Sequence, residues 1–372
     1  MTKMNFAAPC LFGVEGILAD ELRRMGAEAV AAQNGRVLFS GGADILARAN
    51  IGSRYAERIL ILMGQFEAKT FTELFDRVKA LPFEEFIGKN NAFPVKGWTL
   101  DSKLHSLPDC QSIIKKAVVE RLKIKYKTDW FEETGAPIKI QFSIHKDQVS
   151  IMLDTSGEGL HKRGYRRNST EAPLKETLAA AMAYTTHLYP DTQLFDPFCG
   201  SGTILIESAL LAMNIAPGLN RSFAAEKFGC FDGKIWREER RRAIDAIRRD
   251  VDFMAFGGDI DPNAVSLTLE NAKKAGVDAH IRVQRQSITD LQLPQGRATV
   301  ITNPPYGERL LDRKAAEKLI CEMSRVMPQE RGKRYSIISP DEDFEKRFGR
   351  PADKRRKLYN GMIKCQMYMY FK

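Results

Sequence analysis

Leu18, Leu22 and Met25 recur at helical spacing within residues 11–25, with Asp20, Glu21, Arg23 and Arg24 on the opposite side. That pattern predicts an amphipathic helix. Residues 36–40, RVLFS, read as a strand ended by Gly41-Gly42. Asp44 to Ile51 read as a second helix, and RILILMGQF (58–66) as a buried strand. This alternation of helix and strand predicts a small α+β unit. A further helix is expected over 70–87, with Thr70 or Thr72 as its N-cap. A strand follows over 96–105 and a lysine-rich helix over 109–127. Two alternating strands over 138–155 turn at Lys146-Asp147.

The connector SGEGLHKRGYRRNSTEAP (156–173) marks a boundary, and the pattern changes after it. Helices over 174–188, 203–213, 262–275 and 315–327 interleave with the strands TQLFDP, FMAFGGDI, AHIRVQRQS, RATVITNPP and RYSIIS. Strands alternating with helices predict a mostly parallel sheet covered on both faces, an α/β architecture. MIKCQMYMYF (362–371) alternates with period two and reads as a last strand, antiparallel, at or near the sheet edge.

Composition narrows the class. Of 372 residues, 44% are hydrophobic and 28% charged, which suits a globular chain and excludes a disordered or collagen-like one. No apolar run approaches the roughly 18 residues of a membrane span. Glu15 interrupts the apolar stretch Phe6 to Ala19, so no signal peptide is expected. Six cysteines contain no C-x-x-C pair, which gives no support to a metal site and suits a reducing cytoplasm. The net charge is +10. Residues 1–160 hold 21 Lys and Arg against 20 Asp and Glu, and the remainder 36 against 27. A polyanionic partner is therefore expected to meet mainly the second half.

Two motifs carry candidate chemistry. In FDPFCGSGT (195–203) a strand ends at Asp196, glycines bend the chain, and a helix opens near Thr203. Gly200 and Gly202 allow close approach of a ligand to the helix N-terminus. The third glycine of a nicotinamide fingerprint is missing. A carboxylate before the turn suits the cationic end of S-adenosylmethionine better than a pyrophosphate. In GGDIDPNAV, Asp259 just past a strand can accept both ribose hydroxyls, while Asp261 caps the next helix. Asp290, Gln286 or Ser287 would contact the adenine.

ITNPPYGERL (301–310) follows the fourth strand of this region. Consecutive Pro304 and Pro305 hold the backbone extended. The Asn303 side-chain oxygen and the Pro304 carbonyl then form two fixed acceptors, matching the two N–H donors of a planar amino group. Gripping both aligns that nitrogen for methyl transfer. Tyr306 can stack on the target base.

DPFCGSGT, GGDIDP and NPPYGERL, in this order and spacing, resemble class I amino methyltransferases. HKRGYRR and EAPLKETLAAAMA (171–183) resemble more narrowly the THUMP-containing RNA guanine-N2 methyltransferases. That resemblance implies three regions: a ferredoxin-like α+β region over 1–65, a THUMP RNA-binding domain over 66–157, and a Rossmann-like methyltransferase domain with a seven-stranded, mostly parallel sheet over 158–372. It implies S-adenosylmethionine as cofactor, held by Asp196, Gly200, Gly202 and Asp259; Pro197, Cys199, Thr203, Ile260, Ser287, Asp290 and Asn303 are the further contacts expected around it, with Ser287-Ile288 standing where relatives often have Asp-Ala. Asn303, Pro304, Pro305 and Tyr306 would hold the base. The implied substrate is guanine N2 in 23S ribosomal RNA or in tRNA. Adenine-N6 transfer to RNA or DNA, and a noncatalytic role in ribosome assembly, are the competing readings. Basic residues expected to meet RNA are Lys115, Lys116 and Lys123 on the lysine-rich helix, Arg163 and Arg166 in the connector, Arg241 in KIWREERRRAIDAIRRD (234–250), and Arg355 in KRRK (354–357).

Overall fold

The computed structural model describes residues 3–166, 174–189, 191–306 and 313–371. Positions 167–173 of the connector and 307–310 of the proline motif lie outside them. The chain divides into two compact units: Met1–Cys10, Ala19–Leu160 and Arg221–Arg241 form one, and Leu11–Leu18, His161–Asn220 and Arg242–Lys372 the other.

The first unit contains β1 (Met4–Pro9), α1 (Glu15–Arg24, shared between the units), β2 (Glu28–Gln33), β3 (Arg36–Gly41), α2 (Ala43–Gly52), β4 (Leu60–Glu67), α3 (Phe71–Lys79), β5 (Val95–Leu100), α4 (Leu107–Tyr126), β6 (Ile140–His145) and β7 (Gln148–Asp154). Its seven-stranded sheet runs β2-β3-β1-β4-β7-β6-β5. The first four strands have the split βαβ order of a ferredoxin-like fold. β4 pairs with both β1 and β7, so it joins the two halves, and the boundary expected at residue 65 falls inside it. Two strands escaped the sequence pattern. β1 lies within the apolar opening stretch. β2 is an exposed edge strand, Glu-Ala-Val-Ala-Ala-Gln, whose register shifts between Glu28 and Ala31, so it shows no two-residue alternation. At α3, Thr70 is the cap and forms a capping box with Glu73. Leu81-Pro82 then ends the regular helix sooner than expected.

The second unit contains α5 (Glu176–Thr185), β8 (Gln193–Asp196), α6 (Thr203–Ala212), α7 (Gly233–Asp245, shared), β9 (Met254–Asp259), α8 (Pro262–Ala275), β10 (Ile281–Arg285), β11 (Ala298–Thr302), α9 (Arg313–Val326), β12 (Lys333–Ser339), α10 (Phe344–Phe348), β13 (Lys354–Asn360) and β14 (Ile363–Tyr370). Its sheet runs β10-β9-β8-β11-β12-β14-β13. β14 is antiparallel and sits between β12 and β13, one place in from the edge. KRRK, read from the sequence as lying between strands, opens β13, the edge strand itself, where lysines discourage edge-to-edge pairing. Strand order reverses between β8 and β11, which places a ligand crevice at their carboxyl ends.

Several basic residues expected on an RNA surface have internal partners. The Arg163 guanidinium is buried, 3.4 Å from both Glu207 carboxylate oxygens, and the Tyr165 hydroxyl donates to Glu207 at 3.1 Å. Arg166 pairs with Glu176 and donates to Thr203 Oγ1 at 3.0 Å. The connector arginines thus brace α5 and α6. Lys115 is salt-bridged to Glu133 and lies 3.5 Å from the Phe93 ring centre. Lys123 pairs with Glu120, and Arg355 with Glu345. Lys116 and Arg241 are exposed. The stretch from Lys234 to Arg241, expected beside the cofactor cleft, belongs to the first unit, where Arg48 grips Glu239 through two 2.7 Å bonds.

Replacing Glu207 by Ala would leave Arg163 buried and uncompensated. Glu207→Ala is expected to destabilise the second unit by about 3–5 kcal/mol, visible as a lowered midpoint in denaturant unfolding. An unchanged midpoint would show that the buried pair does not brace the fold.

Candidate active site

The glycine turn is fixed from behind by α8. The Thr268 hydroxyl donates to the Gly200 carbonyl at 2.8 Å, and the Asn271 amide donates to the Ser201 carbonyl at 3.0 Å. The turn closes on itself through the Gly202 N–H, which donates to the Cys199 carbonyl at 2.7 Å. Gly202 has φ +78°, and a Cβ there would sit 2.6 Å from Thr268 Cγ2. No L side chain is tolerated at that approach.

Asp259 closes the turn's other side. Its Oδ2 accepts from Gly200 N–H at 3.0 Å and its Oδ1 from Asp261 N–H at 3.0 Å. Each oxygen keeps a lone pair, so the carboxylate is oriented yet still able to accept from vicinal hydroxyls. Asp261 caps α8, accepting from Asn263 N–H at 2.9 Å.

Parallel pairing of β8 with β11 brings the two motifs together. The Thr302 hydroxyl donates to Asp196 Oδ1 at 2.7 Å, joining residues 106 positions apart. Asp196 also accepts from Phe198 N–H at 3.2 Å. Burial raises its carboxyl to about pH 7. The Thr302 and Phe198 hydrogen bonds oppose that rise, and the nearby Asp259 charge adds to it. Burial also pushes the Cys199 thiol up, so a thiolate nucleophile has no support there.

Immediately after Thr302, Asn303 Oδ1 is buried and accepts no hydrogen bond. Glu176 Oε2 and Asn271 Oδ1, on residues whose other polar atoms engage the turn or its Arg166 brace, are likewise unpartnered. Buried acceptors without donors are uncommon and costly. The unpartnered Asn303 oxygen, next in the chain to Thr302 on Asp196, suits a ligand that brings an N–H donor.

A cleft of about 480 Å³ opens at the carboxyl ends of β8, β9 and β10, lined by Asp196, Pro197, Gly258, Gln286, Asp290 and Leu291 among others. One wall is the stacked pair Phe195 and Phe256, 5.0 Å apart on adjacent strands. Ile260 is exposed at the end of β9. The Ser287 hydroxyl accepts from Thr289 N–H and caps a short helical turn. Gln286 donates to the Asp290 carbonyl at 2.6 Å, leaving the Asp290 carboxylate exposed. Sequence reasoning did not single out Thr302, Gly257 or the two phenylalanines. Gly257 was detectable only in three dimensions, because a Cβ there would meet Leu205 and Cys199.

A doubly wound sheet with an acidic glycine turn at its switch point, a ribose-competent carboxylate and an unpartnered amide oxygen defines a nucleoside-cofactor transferase. Residues 163–369 match the family described as an RMKL-like methyltransferase domain, residues 5–60 the RlmL ferredoxin-like domain, and residues 68–154 the THUMP domain. The chain belongs to this RMKL-like methyltransferase family. It is 43% identical to "Putative RNA methyltransferase YpsC" of Bacillus subtilis (strain 168), over 100% of this chain and 97% of that one. It is 33% identical to the ribosomal RNA large subunit methyltransferase K/L of Syntrophotalea carbinolica, over 98% of this chain but 53% of that protein, so it spans about half of that relative's length. The crystal structure of SMU.472, complexed with SAH, superposes with a TM-score of 0.94 at 39% identity, covering 100% of this chain and 98% of that one. S-adenosylmethionine is the cofactor of this methyltransferase, and the acceptor-rich turn fits it. Among the described residues no group of three or more His, Cys, Asp or Glu is arranged to hold a metal, and no helix is long and apolar enough to cross a membrane.

Because the folded Asp196 carboxyl lies above its ordinary value near 4, the folded chain holds an extra proton between about pH 4 and 7. Its contribution to stability is therefore lost as pH rises through that window. A cationic ligand favours the ionised form. Calorimetry in buffers of different ionisation heat is expected to show proton release on S-adenosylmethionine binding at pH 6, fading by pH 8. Asp196→Asn is expected to abolish that release; if the release survives in the variant, Asp196 is not its source.

Proposed function

We propose that this chain transfers a methyl group from S-adenosylmethionine to the exocyclic N2 amine of a guanine in RNA, with 23S ribosomal RNA as the substrate, in the cytoplasm. The observation that carries the reading is the buried, unpartnered Asn303 Oδ1 at the end of β11, beside a proline pair that holds its own backbone extended. An amino group on a base supplies the missing donor. The relatives named for RNA and for large-subunit ribosomal RNA methyl transfer support the choice of substrate.

S-adenosylmethionine supplies an electrophilic methyl on a sulfonium. Asp259 would hold the nucleoside end against the glycine turn, and Asp196 the cationic end. Asn303 Oδ1 and the Pro304 carbonyl accept the two N–H bonds of the target amine, which directs the nitrogen lone pair toward the methyl. Pro305 keeps that carbonyl from turning into a helix, and Tyr306 lies against the base. No general base is needed before attack: the new N–C bond replaces the methyl–sulfur bond, the neutral thioether is the leaving group, and the amine's surplus proton passes to solvent afterwards, so rate comes from positioning. The base must first leave its stack, at a cost of a few kcal/mol in a duplex. Exposed cations such as Lys116 and Arg241 contribute phosphate contacts that position RNA without reading sequence.

Mass spectrometry of nucleosides from the ribosomal RNA of a deletion strain is expected to show loss of N2-methylguanosine at a single position. Loss of N6-methyladenosine instead would redirect the assignment to adenine, and loss confined to tRNA would redirect the substrate. Asn303→Ala is expected to lower transfer about 100- to 1,000-fold, the effect of deleting one preorganised hydrogen-bonding group, while S-adenosylmethionine still binds. Full activity in that variant would refute the role of Asn303.

A further inference from the structure

We propose that Asn360 is a positioning residue that holds the Tyr306 ring in place for the target base. The inference rests on the proposed function in one respect, that Tyr306 lies against the base. Tyr306 stands in neither helix nor strand. Its hydroxyl oxygen accepts a 2.6 Å hydrogen bond from the Asn360 side-chain amide. Asn360 is 5% exposed and ends β13. A buried amide is costly without a partner, so this contact is strongly selected once the strand is in place.

The register explains why a residue at the sheet edge reaches the site. β12 ends where Ser339 pairs with Gln366, and β14 extends three residues further, to Ile363. At about 3.3 Å per residue this overhang is about 10 Å past the carboxyl end of β12. The β13–β14 hairpin, turned at Gly361 and Met362, therefore projects on the same side of the sheet from which Asn303 to Tyr306 emerge. Its pairing is continuous from Lys354↔Met369 to Asn360↔Ile363, so the anchor sits on a rigid element. An aromatic surface held from such an element is preorganised, and a looser ring would lower the fraction of bound RNA with its amine aligned.

The test uses the full chain with hypomodified ribosomal RNA from a deletion strain and tritiated S-adenosylmethionine. Tyr306→Phe removes the acceptor and keeps the ring; Asn360→Leu removes the donor and keeps the branched shape of the side chain. Each is expected to lower kcat about tenfold, the effect of one hydrogen bond, with the Kd for S-adenosylmethionine and the melting temperature unchanged. The double variant is expected to be no slower than either single one, and Asn360→His, which restores an N–H donor, to recover part of kcat. Fully active single variants, or losses that multiply in the double, would overturn the proposal. If Asn360→Leu does not fold, Tyr306→Phe decides. Tyr306→Ala separates the two claims. If it remains active, the base-stacking reading fails. If it is inactive while Tyr306→Phe is fully active, only the anchoring role of Asn360 fails.

Discussion

The site depends on one adjacency, the parallel pairing of β8 with β11. These strands are far apart in sequence and neighbours in the sheet, and their carboxyl ends carry Asp196 and Asn303. The Thr302 hydroxyl bonded to Asp196 locks that junction at the atomic level. Strand order reverses at this point, which opens a crevice at the carboxyl ends of the two strands. The glycine-turn motif and the Asn-Pro-Pro-Tyr motif are thereby held side by side.

Around the junction the chain concentrates acceptors and withholds donors. Asp196 is buried deeply enough that its carboxyl titrates near neutrality, Asp259 is oriented by two backbone amides, and the side-chain oxygen of Asn303 is unpartnered. Such a site is electrostatically poor when empty and improves when a cation, hydroxyls and an amine arrive. That asymmetry gives binding energy to ligand groups at defined places, which is what catalysis by alignment requires. The buried connector arginines serve the same end from below, since Arg166 ties Thr203, the first residue of α6, to Glu176 at the start of α5.

The sequence made the doubly wound sheet, the glycine turn, Asp259 and the Asn-Pro-Pro-Tyr element legible, because strand ends, glycines and prolines act locally. What it hid was set by tertiary contact. β2 is an exposed edge strand with no apolar face to betray it, and β13 is masked by four consecutive basic residues. Arg163, Arg166 and Lys115 read as solvent cations because their partners Glu207, Glu176 and Glu133 are not helical neighbours in sequence. Thr302 looked like one more strand residue until the register placed it against Asp196. The charge excess of the second half remains a property of the chain, but internal ion pairs decide which of its cations face outward, so the sequence alone named the wrong ones.

A crystal structure of the chain with S-adenosylhomocysteine tests the account most directly. The expected result is a nucleoside whose ribose hydroxyls bond the Asp259 carboxylate, an amino acid end beside Asp196, and a sulfur facing Asn303. A ligand seated away from the β8–β11 junction, with the Asn303 oxygen facing protein alone, would contradict it.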